Sequence, residues 1–158
     1  MAIIIVGKSK CPICNKILQD VEDSTSFTAF IGNTKDELYI FNDAGLHTAC
    51  LLNHPNGTRA LELAEECHAA FMKKKCIVTG ETITDYREHF FLALLTSDVT
   101  EPLYRYNFIT LNRKNIPAWK DREDFINTAE KFIAERKWAN LTEGFDFWGS
   151  IMKLMKQG

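Results

Sequence analysis

Four soft ligands in two close pairs, Cys11-Pro12-Ile13-Cys14 and His47-Thr48-Ala49-Cys50, constrain this chain more than anything else in it. Two residues between Cys11 and Cys14 let both sulfurs face one ion from a tight knuckle, and the same spacing brings His47 and Cys50 together at the start of a helix. The segment between the pairs is long enough to fold back on itself. Four ligands complete a tetrahedral shell and leave no position for water, which is the pattern of a structural zinc and not of a catalytic one. The sequence therefore predicts one structural Zn2+ per chain, bound by Cys11, Cys14, His47 and Cys50.

A Cys-x-x-Cys pair also serves thiol redox chemistry, but that use wants a strand-to-helix context, whereas Pro12 and Asn15-Lys16 read as a turn. A disulfide is not expected either, because the five cysteines are odd in number and no secretory leader is recognisable. Reduced thiols and the missing leader point to a cytoplasmic location. The apolar run from Ala2 to Val6 is far too short for a membrane span and reads instead as a first strand. With 158 residues, 46% of them hydrophobic, the chain can bury a real core as one domain or two small ones. A net charge of −2 excludes the strongly basic class of nucleic-acid binders. Lys73-Lys74-Lys75 reads as a solvated helix end, where cations are favourable.

Downstream of the knuckle, Ser26 to Ile31 and Glu37 to Asn42 are rich in aromatic and β-branched residues around a Gly32-Asn33 turn signal, which predicts a hairpin. From Pro55 onward Leu61, Ala64, Cys67, His68 and Phe71 recur at helical spacing and predict an amphipathic helix ending at the lysine run. Cys67 falls on that apolar face and is read as a packing residue.

The chain also matches itself at a shift of 65 residues. Lys10-Cys11 falls on Lys75-Cys76, Asp20 on Asp85, Leu38-Tyr39 on Leu103-Tyr104, Asn42 on Asn107, Leu46 on Leu111, Ala64-Glu65 on Ala129-Glu130 and Ala69 on Ala134. That is about ten identities over about sixty positions where chance gives roughly four, the mark of an internal repeat. In the second copy Cys76 remains, but Thr79, Asn112 and Asn115 stand where Cys14, His47 and Cys50 stand in the first. One thiolate cannot hold structural zinc, so packing of the second copy's aromatic residues must replace it. Leu103 to Phe108 is read as its second hairpin strand, and Phe125, Ala129, Phe132 and Ile133 as the stripe of its long helix. After Trp138 the repeat ends. Phe147, Trp148, Ile151, Met152 and Met155 predict a short terminal helix that either covers a core or offers a partner surface.

Knuckle, hairpin, then ligands at a helix is the order of a treble-clef finger, and the Cys-x-x-Cys and His-x-x-Cys order resembles the first finger of a LIM domain. The layout, with its long Cys14-to-His47 gap and second unit without ligands, is similar to small bacterial proteins with paired, partly degenerate zinc fingers, some of which accompany toxin genes as immunity proteins. The expected fold is α+β: a zinc-bound treble-clef-like unit over 1–74, a degenerate metal-free repeat over 75–138, and a C-terminal amphipathic helix over 139–158.

Such scaffolds serve many tasks, so function rests on sites. The expected function is non-enzymatic: a zinc-stabilised module that binds a protein partner, as an immunity protein or adaptor, with Tyr104, Tyr106 and Trp148 as binding residues. Two alternatives are a nuclease and a nucleic-acid binder. An HNH-type nuclease needs a histidine base beside a divalent-metal ligand set, for which Asn53 and His54 are the only candidates near the finger. Nucleic-acid binding needs basic residues interleaved with aromatics, of which Tyr104-Arg105-Tyr106 and Arg113-Lys114 are a small version.

Overall fold

The computed structural model describes residues 2–140 and 146–156, a mixture of helices and small two-stranded sheets in an α+β arrangement. In the first half, β1 (Ser24–Ser26) pairs antiparallel with β2 (Gly45–His47), Ser24 facing His47, and α1 (Thr48–Leu52) and α2 (Gly57–Lys73) follow. In the second half, β3 (His89–Phe91) pairs antiparallel with β4 (Thr110–Asn112), His89 facing Asn112. There α3 (Arg122–Ala134) and α4 (Phe147–Lys156) follow.

Local bonding in the two halves coincides at the 65-residue shift. An isolated bridge closes each knuckle, Lys10 to Ile17 and Lys75 to Thr82. The chain turns through left-handed backbone at Asn15 and Gly80, and again at Asp43 and Phe108. A 3-10 helix spans Glu37–Phe41 in one half and Pro102–Tyr106 in the other. Each is followed by an asparagine that reaches back across its half. Asn42 Oδ1 accepts from the N–H groups of Phe30 and Ile31, and Asn107 Oδ1 from those of Leu95 and Thr96, while Asn107 Nδ2 donates to the Thr96 carbonyl.

Because these side-chain amides satisfy backbone groups that no ladder reaches, losing one strands buried donors. Asn107→Ala is expected to cost about 3 kcal/mol, from three lost amide hydrogen bonds and desolvation of the groups left behind. A shift of the urea midpoint at unchanged slope is the check.

The strands lie outside the segments with the strongest β composition. Residues 3 to 6 form no strand: Ile4 packs on the first core, but Ile3, Ile5 and Val6 face solvent. Only the Ala2 and Gly7 N–H groups there bond the adjacent backbone, at Phe27 and Leu18, so β-branched composition finds no ladder to join. The hairpin expected from Ser26–Ile31 and Glu37–Asn42 is likewise displaced. The pairing strands are the short runs flanking it, and Asp36, accepting from the Leu38 N–H, caps Glu37 onward into a 3-10 helix. Leu103 to Tyr106 likewise lies in a 3-10 helix and forms no strand.

Gly32-Asn33 is a junction and not an exposed turn. Asn33, almost fully buried, donates to the Lys137 carbonyl and accepts from the Ala139 N–H, and Gly32 lies so close to the Trp138 ring that a Cβ would stand 3.1 Å from it.

Helix α2 turns a different face inward than the periodicity indicates. Gly57, Ala60, Leu63 and Cys67 are buried, whereas His68 and Phe71 are exposed. Gly57 sets this corner, because a Cβ there would fall 1.9 Å from the Leu51 carbonyl oxygen. Helix α3 buries Phe125, Ile126, Ala129 and Phe132 and leaves Ile133 36% exposed.

Two apolar clusters result. One gathers Leu18, Phe30, Phe41, Leu46, Leu51 and Leu63. The other is aromatic, with Tyr106, Trp119, Phe125, Trp138 and Trp148 among its members. Leu94 joins the halves: it packs in the first cluster, its N–H donates to the Phe30 carbonyl, and it forms a parallel bridge with Ile31. Arg59 of α2 also donates to the Tyr104 hydroxyl, and Ser97 donates through N–H and Oγ to Asp36. No helix among the described residues is long and apolar enough to cross a membrane. Residues 141–145 and 157–158 of the expected terminal segment lie outside the described residues.

Candidate metal centre

The knuckle holds its two cysteines by short-range backbone bonds. Cys11 N–H donates to the Lys16 carbonyl, Asn15 N–H donates back to the Cys11 carbonyl, and Asn15 takes the left-handed conformation that asparagine tolerates better than most residues. Across from it, the register of β2 against β1 delivers His47 at the strand end, where it is also the residue preceding α1. Three positions on, Cys50 comes round to the same side in the helix's first turn.

These segments meet. Cys14 Sγ lies 3.4 Å from His47 Nδ1, Cys50 Sγ lies 3.9 Å from the same nitrogen, and all four donor atoms fall within 4.8 Å of one another. A tetrahedral ion with metal–sulfur bonds near 2.3 Å and a metal–nitrogen bond near 2.0 Å places its donors about 3.5 to 3.8 Å apart, so shifts of about 1 Å or less close this shell. Cys11 is fully buried and the other three are half-buried. Among the described residues this is the one group of three or more Cys, His, Asp or Glu donors that converges so closely.

Cys11 and Cys50 are shifted in opposite directions. Burial pushes Cys11 up, yet the N–H groups of Cys14, His47 and Ile13 more than offset it and hold the thiol down to about 6. Those N–H donors favour thiolate and form the outer support that metal-bound sulfurs need. Cys50 goes the other way, to about 11, through burial and then through its neighbours Cys14 and Cys11. Three sulfurs this close cannot all carry charge unless a cation sits among them, so the donor set fits a divalent ion. All five cysteines are free thiols, and Cys67 packs in α2 away from the centre, its thiol raised to about 11 by burial.

Cys76, Thr79, Asn112 and Asn115 contain only one thiol, and here nitrogen donors surround it. Asn112 N–H donates to Cys76 Sγ at 3.3 Å and the Asn115 side-chain amide at 3.7 Å. Thr79 contributes its backbone, while its hydroxyl accepts from the Glu81 N–H. Burial raises the Cys76 thiol, but the N–H groups of Asn112, Thr79 and Val78 together with the Asn115 amide bring it down from 9.0 to about 7.

A thiol depressed in the folded state adds stability fully above its unfolded value, and that contribution fades as pH falls through the folded value. The chain is thus expected to gain stability as pH rises from about 7 to about 9, with the gain missing in Cys76→Ser. Denaturant midpoints across that range check it.

The expected binding residues divide. Tyr104 is half-buried, with its hydroxyl held by Arg59. Tyr106 and Trp148 are 2% and 4% exposed, which corrects their reading as surface anchors. The Tyr106 ring meets Trp119 and Phe125 edge-on, and its hydroxyl donates to Asp124 and accepts from Arg105. Trp148 packs on Phe125 and Trp138. Both belong to the second cluster, Tyr106 at the position that buried Phe41 holds in the first.

His54 is held by packing. Its ring meets Phe41 edge-on and its Nδ1 accepts from the Asn56 N–H. The small basic and aromatic stretch is internally paired: Arg105 with Asp124, Lys114 with Glu88, and Arg113 over the Phe90 ring. Sequence reasoning missed the bonding roles of Asn33 and Asn42, because a lone asparagine carries no periodic signal. The identity of Asn42 and Asn107 at the 65-residue shift was the available clue. Compared with protein-family models, curated proteins and solved structures, the chain finds no match in any of the three.

Proposed function

We propose that this chain is a non-enzymatic zinc protein whose metal holds a scaffold for binding another protein, in the manner of an immunity protein or an adaptor. The observation that carries it is the convergence of Cys11, Cys14, His47 and Cys50 from two segments far apart in sequence. Three thiols and an imidazole within 4.8 Å of one another are a donor set that favours zinc among the common divalent ions. All four coordination positions are taken by protein, so the ion supplies cross-linking and no open site for a substrate.

On this reading the knuckle, the paired strands and the helix after His47 form a treble-clef-like unit over residues 1–74, and residues 75–138 are a copy that lost its ion. The identical strand register and the matching asparagine bonds support common descent of the halves. Around Cys76, the Asn112 N–H and the Asn115 amide supply in part the positive field that a cation supplies at Cys11.

A nuclease reading would place a base at His54, and a nucleic-acid-binding reading would use Arg105 and Arg113. The packing of His54 on Phe41 and the internal pairing of both arginines weigh against them. Purified protein is expected to leave DNA and RNA intact with added magnesium or manganese. Metal-dependent cleavage that His54→Ala abolishes without loss of fold overturns the non-enzymatic reading.

A further inference from the structure

Where α2 ends, Lys74 takes the left-handed conformation and the chain turns straight into the second knuckle. That turn opens a groove of about 370 Å³ between the helix end and the segment before β4. Its apolar lining comes from Ala70, Ile77, Phe108 and Ile109, and Lys73 and Lys75 stand on it. Ile77 is 54% exposed, although it sits beside the buried Cys76.

Two observations bear on what this groove takes. Four lysines pair with acids, Lys114 with Glu88, Lys131 with Glu135, Lys137 with Glu101 and Glu135, and Lys156 with Glu130, so their charge is spent within the chain. Among the described residues no carboxylate pairs with Lys73, Lys74 or Lys75. In addition, Phe108 holds φ at +63°, a region unfavourable for a bulky side chain, where the first half has the more tolerant Asp43. Its ring is half-buried against the first cluster and lines the groove as well.

We infer that this groove docks a segment of a partner protein in which an apolar side chain is flanked by Asp or Glu. The apolar residue fills the space over Ile77 and Ile109, and the carboxylates meet Lys73 and Lys75 at the rim, the charge complementarity that sets orientation and partner choice. A phosphate backbone matches the lysines but brings nothing for the apolar lining, so an acidic peptide is the better fit. This inference rests on the reading of the chain as a protein-binding scaffold and names the partner's chemistry.

The test uses the full chain with its metal, and a displayed library of random heptapeptides as the probe. Selected peptides are measured by fluorescence polarisation against the wild type, Lys73→Glu/Lys75→Glu and Ile77→Ser, all at exposed positions, with zinc content and circular dichroism recorded for each. The expected result is a consensus of one or two apolar residues flanked by Asp or Glu, bound about tenfold or more weaker by each variant. No enrichment, a consensus without acids, or equal binding by the variants overturns the inference. So does displacement of the peptides by an oligonucleotide or by decanoate with no such consensus, which gives the groove to another class of ligand. Protein without zinc defeats the scaffold reading whichever peptides enrich, whereas zinc-loaded protein with no lysine-dependent peptide defeats the groove alone.

Discussion

Cys50→Ser is expected to unfold the first half of the chain while the second keeps its protection against hydrogen exchange. Structural zinc contributes on the order of 10 kcal/mol of apparent binding free energy, as much as the whole stability of a typical domain. On the proposed reading the first cluster is built around that contribution. Cys11 is fully buried beside Leu18, Leu46 and Leu51, so losing the ion leaves buried thiols crowded together where a cation had balanced them. Serine is a poor zinc ligand and cannot restore the shell. The second cluster contains no metal donor set among the described residues and rests on Tyr106, Trp119, Phe125 and Trp148. Amides of 11–18 and 45–67 are expected to exchange near the unfolded rate in the variant, and those of α3 and α4 to remain protected. Chelation of the wild type should reproduce the pattern. Undiminished protection around β2 and α2 would show that packing alone holds the first half.

Trp148→Ala is the second large effect, and it separates core from surface. Its ring centroid lies 5.0 Å from that of Trp138 and 6.1 Å from that of Phe125, and the helix carrying it also buries Ile151 and Met155. Truncating a buried tryptophan costs about 3 to 5 kcal/mol, through lost transfer energy and the cavity left behind. Since α4 reaches the rest of the fold through this same face, the variant should also release Ile151 and Met155 to solvent. The check is a denaturant midpoint lowered accordingly, with increased exchange across α4. An exposed docking residue would give an unchanged midpoint.

The convergence of Cys11, Cys14, His47 and Cys50 was legible in the sequence because coordination would impose residue type and spacing together, as a Cys-x-x-Cys and a His-x-x-Cys pair do. The strands were less so. Three-residue strands hold too few positions for alternation to show, and the β-branched residues Ile3 to Val6 and the aromatic run at Glu37–Phe41 gave a stronger signal than the strands themselves. At Glu37 the deciding feature is local, the Asp36 cap, and at Asn42 it is a bond reaching back to Phe30 and Ile31. Neither leaves a periodic trace. The helices α2 and α3 were visible from their spacing, but their inward faces were set by tertiary contacts such as Gly57 against Leu51. Burial of Tyr106 and Trp148 was hidden for a related reason. An amphipathic stripe declares that a face will be covered and not what covers it.

The central claim is that one zinc ion joins the knuckle to the start of α1, and X-ray absorption at the zinc edge on purified, reduced protein tests it most directly. The account predicts one zinc per chain with a first shell of three sulfurs near 2.3 Å and one nitrogen near 2.0 Å. Well-folded protein without zinc, or a shell of oxygen and nitrogen in place of sulfur, would contradict it.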